Sequence, residues 1–229
     1  MNKRIKISIV ALLLLFLLTI TSTPASAQTN DMTQQKQILT ERTKTDLISY
    51  WDKIGIKKEN QKKILEKIRV GKQLDSEKAN QTIEFTPKLL SEGGSITKEF
   101  GDGSFIILTV TPLKNNNNFS TAATCGSGYC IQTVKVSKWS VNSGASFNAK
   151  IVNVKNGYDY ISSISNPEIT VFGGTASNVD FKIAKKYEDA NGRAHAYLRY
   201  DESILGIASN TTTIGIRVGN DTYSTYINR

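Results

Sequence analysis

The stretch "VDFKIAKKYEDANGRAHAYLRY", residues 179–200, decides the reading of the fold. Val179, Phe181 and Ile183 alternate with polar residues, and so do Ala196, Leu198 and Tyr200. A period of two places one face of a strand in a core. Asn191-Gly192 between the runs is a hairpin signal, because both residues accept positive φ. The same grammar extends outward. Phe147, Ala149 and Ile151 lead to an Asn156-Gly157 turn, and Ile169 and Val171 end at Gly173-Gly174. Ile214, Ile216 and Val218 precede a Gly219-Asn220-Asp221 turn and a last strand through Tyr223. About seven short strands with turns between them predict an antiparallel β-sandwich over residues 125–229, a span long enough to bury its own core.

Upstream the pattern changes. Leu47, Ile48, Trp51 and Ile54 recur at helical spacing before Gly55, and Gln61, Ile64, Leu65 and Ile68 before Gly71. Two such short helices need something to pack on. "TIEF" and "GSITKEFGDGSFIILTV" read as strands, with Asp102-Gly103 as a tight turn. Residues 28–112 are therefore expected to form a small α+β helix–hairpin module. Tyr50 and Trp51 are read as its core rather than as a ligand surface. Residues 113–124, with Asn115 to Asn118, are an Asn-rich linker. The predicted class is α+β, a small N-terminal module followed by the sandwich.

The beginning of the chain predicts export. Lys3, Arg4 and Lys6 precede the apolar run Ile7–Ile20, and Ala25-Ser26-Ala27 follows. That is the layout of a secretory signal peptide over residues 1–27, cut between Ala27 and Gln28. The run falls short of the roughly 20 apolar residues of a membrane span. An uncleaved anchor is the alternative. No second apolar run and no wall-sorting tail is apparent, so no stable membrane insertion is expected after cleavage. The formal charge of +9 falls to +6 without the three basic residues of the leader. Such a cation is drawn to anionic cell-wall polymers. The absence of any dense Lys/Arg run argues against a nucleic-acid partner.

Export also colours the two cysteines, Cys125 and Cys130, in "TCGSGYC". Thiols oxidise outside the cytosol, and four intervening residues, two of them glycine, can close a small ring. The loop model gives such a staple about 2 kcal/mol. Free or transient thiols are the alternative. A redox motif favours two intervening residues. A Cys/His zinc site needs more ligands than the single histidine, His195, supplies. Neither a metal nor a cofactor is expected.

No catalytic residue is singled out. A two-residue loop at Asn191-Gly192 pairs His195 with Glu188, a cross-strand contact of below about 1 kcal/mol. It becomes a general base only beside a nucleophile. Ser127 lacks a Gly-x-Ser-x-Gly elbow, and no pair of carboxylates stands out as a glycosidase needs. "DANGRAH" is too short for a calcium loop. The leading binding patch is "GYDY", with Tyr158 and Tyr160, since tyrosine is a good amphipathic contact residue. Ordinary strand and core tyrosines are the competing reading.

The stretches "IGIKKENQKKILEKIRVGKQLDS" and "EFGDGS" resemble a module near the N-termini of small secreted Gram-positive bacterial proteins. "CGSGYC" and "NGYDYISSISNPEITVFGG" resemble the C-terminal domain of the same proteins. These are families of unknown function. The resemblance implies a secreted two-part protein and brings no catalytic residues. Three functions are weighed. The first is an extracellular or wall-associated binding protein, with an anionic wall polymer, glycan or protein as partner. The second is a secreted toxin or bacteriocin-like effector with residues 28–112 as pro-segment. The third is a hydrolase with an unrecognised site.

Overall fold

The structure, a computed structural model, describes residues 39–78, 80–88, 92–113, 123–205 and 208–229. The expected cleavage site at Ala27 and Gln28, and Asn115 to Asn118, lie outside the described residues. Two helices come first, α1 (Glu41–Lys53) and α2 (Lys58–Arg69), then a single 3-10 turn (Asp75–Glu77). Eleven strands follow among the described residues: β1 (Thr82–Phe85), β2 (Gly94–Glu99), β3 (Phe105–Leu113), β4 (Ala123–Gly126), β5 (Tyr129–Ser140), β6 (Ser143–Val154), β7 (Tyr160–Val171), β8 (Ala176–Lys185), β9 (Ala194–Ile204), β10 (Ala208–Gly219) and β11 (Thr222–Asn228).

The strands form two antiparallel sheets. One has the order β1-β11-β10-β9-β8 and the other β2-β3-β5-β6-β7, with β4 beside the start of β5. Their facing sides enclose one apolar core, including Leu108, Val136, Phe147, Leu198, Ile216 and Tyr223. Most of the alternating residues of the sequence fall on these inner faces, as period-two burial requires.

The first three strands belong to these same sheets. β1 pairs with β11, Ile83 opposite Ile227, and β3 pairs with β5, Val110 opposite Val136. The helix–hairpin region before residue 113 and the strands after residue 123 thus share hydrogen-bonded sheets, where the sequence reading drew a linker between two domains. Hydrophobic alternation finds strands but carries no information on which distant strand each one joins.

The helices cover one end of the sandwich. Thr40 caps α1, its Oγ1 accepting from the Thr43 amide at 3.1 Å, and Gly55 at φ 79° stops it. Leu47, Tyr50, Trp51, Ile64 and Ile68 are buried with Leu74, Phe105, Val141 and Leu205 in a second core. Val141 lies in the β5–β6 turn and Leu205 follows β9. Trp51 Nε1 donates to the Val141 carbonyl at 2.6 Å and the Tyr50 hydroxyl to that of Ser140 at 2.8 Å. The Tyr50 ring stacks on Phe172 at 4.9 Å. Both aromatics are core, as the sequence reading preferred. Each polar tip satisfies a turn carbonyl that the helix covers.

Four charged side chains are buried just beneath this cap. The Arg229 guanidinium bonds both Glu77, in the 3-10 turn, and Glu202, on β9. Lys138, on β5, lies 3.5 Å from Glu202 and donates to Ser143 Oγ at 2.7 Å. All four side chains are at most 1% exposed. Burial raises the Glu202 carboxyl, but the charges of Lys138 and Arg229 overcome it and hold the group below the carboxylate range. Burial, with Arg229 adding, pushes Lys138 down to about 8 against the pull of Glu202 and Glu77.

Each sheet edge on the β7 and β8 side is broken by a bulge. The β6–β7 register shifts between Ser146 and Asn148, where Asn166 at φ 51° and Pro167 stand. The β8–β9 register shifts after Ser177, with Asn178 at φ 50°. Val179 falls within this second bulge and is 55% exposed, although its spacing placed it with Phe181 and Ile183. Bulges and proline at edges discourage pairing with another sheet.

Three outcomes are expected. Glu202→Gln leaves two buried cations facing one carboxylate, and the unfolding free energy in a urea titration should fall by about 3–5 kcal/mol. Lys135→Ala, which removes an exposed pair with Glu168, should cost below about 1 kcal/mol. In a second experiment, a protease site is placed between Asn115 and Asn118 and cut. The two fragments should co-elute without denaturant, because β1 and β3 stay paired to β11 and β5. Separation on the column would contradict the shared sheets.

Candidate functional site

In an antiparallel arrangement, alternate connections fall at the same end. The β5–β6, β7–β8 and β9–β10 connections lie under the helical cap. The β4–β5, β6–β7, β8–β9 and β10–β11 connections therefore meet at the opposite end. Loops at the end of a rigid sandwich are where binding residues concentrate.

One carboxylate ties two of these loops together. Asp159 is fully buried. Its Oδ1 accepts from the Val154 amide at 2.8 Å, and its Oδ2 from Asn153 Nδ2 at 3.0 Å and the Asp221 amide at 2.9 Å. Glu188 extends the tie. It accepts from the Asp159 amide at 3.1 Å and the Asn220 amide at 3.0 Å. Burial pushes the Asp159 carboxyl up from the usual range, against these hydrogen bonds. Asn220 and Asp221 both have positive φ, 58° and 56°, the pair of left-handed residues a two-residue hairpin turn demands.

The fourth loop is stapled. Cys125 and Cys130 are directly opposite across β4 and β5 and are bonded. The Lys155 amide donates to the Gly128 carbonyl at 2.9 Å, joining this loop to the β6–β7 turn. The staple read from the sequence thus shapes one wall of the tip.

Tyrosines crown this end. Tyr158 is 61% exposed, Tyr187 55% and Tyr129 47%. They are three of the six large hydrophobic side chains left exposed among the described residues. Tyr160 is half-buried and packs on Tyr187 with ring centroids 5.4 Å apart. Lys186 Nζ lies 5.5 Å from the Tyr187 centroid. Of the patch predicted from "GYDY", Tyr158 is an open ring and Tyr160 supports Tyr187. Sequence reasoning missed Tyr129 and Tyr187. The parity of hairpin connections was the signal that places them at the same end as Tyr158.

The tip also contains a small cavity of about 160 Å³, lined by Gly126, Gly128, Tyr129, Cys130, Asn153, Lys155 and Asp221. A larger depression, about 570 Å³, runs along the outside of α1 past Ile48 and Asp52. Asp52 there is already engaged by Lys58 and Gln61.

His195 lies elsewhere, on the outer face of the β8–β11 sheet, and the expected pairing with Glu188 is not made. The bridge is Asp189 to Gly192, so Ala190 and Asn191 form the turn, one residue earlier than the sequence reading. The Asn191 amide donates to Asp189 Oδ1 at 2.7 Å, which favours this turn. A bulge after Ile183 completes the shift, and His195 stands opposite Lys185. Its Nε2 meets the Tyr226 hydroxyl. Gly215 permits this contact, since a Cβ there would sit 2.4 Å from the Tyr226 ring. The Arg217 guanidinium covers Tyr226 at 4.0 Å. No carboxylate bonds His195 among the described residues, and Tyr226 is only 3% exposed. The constellation is a packed cross-strand cluster.

Among the described residues no group of three or more His, Cys, Asp or Glu side chains could hold a metal ion, and no helix is long and apolar enough to cross a membrane. Comparison with protein-family models, curated proteins and solved structures returned no match.

Burial, with the Arg217 charge adding, pushes the His195 imidazole below its ordinary value of 6.5. The unfolded chain therefore takes up this proton first as pH falls. The site's contribution to stability is full above about pH 6.5 and is lost as pH falls through the folded value. As the only histidine, His195 is identifiable by its ring-proton resonance. Its midpoint in the folded protein should lie below 6.5. Arg217→Ala should raise it, and a wild-type midpoint above 6.5 would contradict the burial argument.

Proposed function

We propose that this protein works outside the cell as a binding module, secreted or held at the cell wall, with its tyrosine tip as the contact surface for a glycan or anionic wall polymer. The observation that carries the reading is the gathering of Tyr129, Tyr158 and Tyr187 on loops that Asp159, Glu188 and the disulfide hold in place. Pre-ordered aromatic side chains bind with little entropy left to lose. Lys186 adds a cation beside the Tyr187 ring, and the +6 charge expected after leader removal favours an anionic surface.

The alternatives draw less support. An effector released by removing residues 28–112 would have to keep its sandwich without β1, β2 and β3. A hydrolase needs a reactive pair, and His195 is engaged by packing.

The test is retention of the full-length secreted chain on isolated wall material. Tyr158→Ala and Tyr187→Ala should each lower the retained fraction several-fold and together abolish it. Both side chains are exposed, so stability should change by no more than about 0.5 kcal/mol. Undiminished retention of the double variant would remove the tip from the binding surface.

A further inference from the structure

We propose that the cavity between Tyr129, Cys130, Asn153, Lys155 and Asp221 is a subsite for one neutral, polyhydroxylated ring, a single sugar residue. This deepens the tip reading and rests on it for the polymer that would present the sugar.

The inner faces of the sandwich change character towards this end. On β5 the inward positions run from Val136 and Val134 to Gln132 and Cys130, and on β6 from Phe147 and Ile151 to Asn153. Apolar core thus gives way to amides just behind the cavity. Asn153 lines the cavity and is only 4% exposed. Its Nδ2 is committed to Asp159, and its Oδ1 has no hydrogen-bond partner in the protein. Gln132, two residues further along β5, is 2% exposed, and neither of its amide atoms makes a hydrogen bond of good geometry. Buried polar atoms are nearly always satisfied, and leaving one unsatisfied costs about 1–3 kcal/mol. A ligand hydroxyl meets the need of Asn153 Oδ1, because it can donate there and still accept elsewhere.

The other walls fit the same chemistry. The Tyr129 ring lies against Gly126, where a Cβ would be 3.4 Å from it, and it is 47% exposed. That exposed ring offers a surface for the C–H face of a sugar. Lys155 supplies a donor and Asp221 an acceptor, and their charges cancel. A neutral polyol needs both kinds of group, whereas a strong anion or cation would meet one repelling charge. The volume of about 160 Å³ lies below the roughly 300–1,000 Å³ of clefts that take drug-sized ligands, so the site holds one ring rather than a chain. The rigidity comes from Asp159, whose bonds to Asn153 and Asp221 hold two walls in register.

The experiment is an amide chemical-shift titration of the full secreted chain with glucose, galactose and N-acetylglucosamine, run separately. At least one should shift residues 126–130, 153–155 and 221 together, saturating in the millimolar range, which corresponds to about −4 kcal/mol. Tyr129→Ala and Lys155→Ala, both of exposed residues, should weaken it at least ten-fold while the spectrum stays folded. Lys135→Ala, which removes only the exposed pair with Glu168, should leave it unchanged. Shifts from none of the three sugars, or from inorganic phosphate alone, would overturn the assignment. Wall retention that depends on Tyr158 without any sugar shift would sink the subsite and keep the tip. A Tyr129-dependent sugar shift without wall retention would support the subsite and sink the polymer reading.

Discussion

Arg229 is the point on which the separate parts of this fold converge. Its buried guanidinium joins the 3-10 turn after the helices to β9, and through Glu202 to Lys138 on β5. Two cations and two carboxylates are withdrawn from water together, so each is tolerable only because the others are there. Such a cluster is weak evidence of extra stability, yet removing one member leaves an uncompensated charge. It makes the closure of the helical cap conditional on β9 and β5 each being correctly placed in its own sheet. The hydrogen bonds of Tyr50 and Trp51 to the β5–β6 turn enforce the same condition from the helix side.

A sandwich closed at one end by helices has only one end at which its loops are free. That follows from antiparallel connectivity alone. The disulfide, the Asp159 tie and the exposed tyrosines all fall at the free end, and their gathering there gives the binding proposal its weight. The cap buries its aromatic residues, while the tip exposes them and spends buried polar groups on holding them still.

Local features of the chain were readable from its sequence. The helical stripe through Leu47 and Trp51, the glycine stops, the inner-face alternation and the Cys125–Cys130 bond each depend on residues close together. What was hidden depends on partners far along the chain. Nothing near Ile83 announces Ile227 as its neighbour. The bulge that takes in Asn178 and Val179 is not marked by the alternation, and Val179, caught within it, is left exposed. The turn after β8 slipped by one position for a local reason, the Asp189 side chain accepting from the Asn191 amide, and that slip parted His195 from Glu188. In the tip, Tyr158 was visible through its turn. Tyr129 and Tyr187 needed the end of the sandwich to be known first.

Strands of twelve residues, as in β5 and β6, at about 3.3 Å per residue set the two ends roughly 40 Å apart. The buried charges under the cap take their hydrogen bonds and ion pairs from residues at that end. Apart from Asp159, Glu188 and the Cys125–Cys130 bond, the tip loops can exchange side chains without drawing on the interactions that keep the chain folded. The molecule separates the residues that set its durability from those that the binding proposal puts in contact with a ligand, which leaves the second group free to diversify.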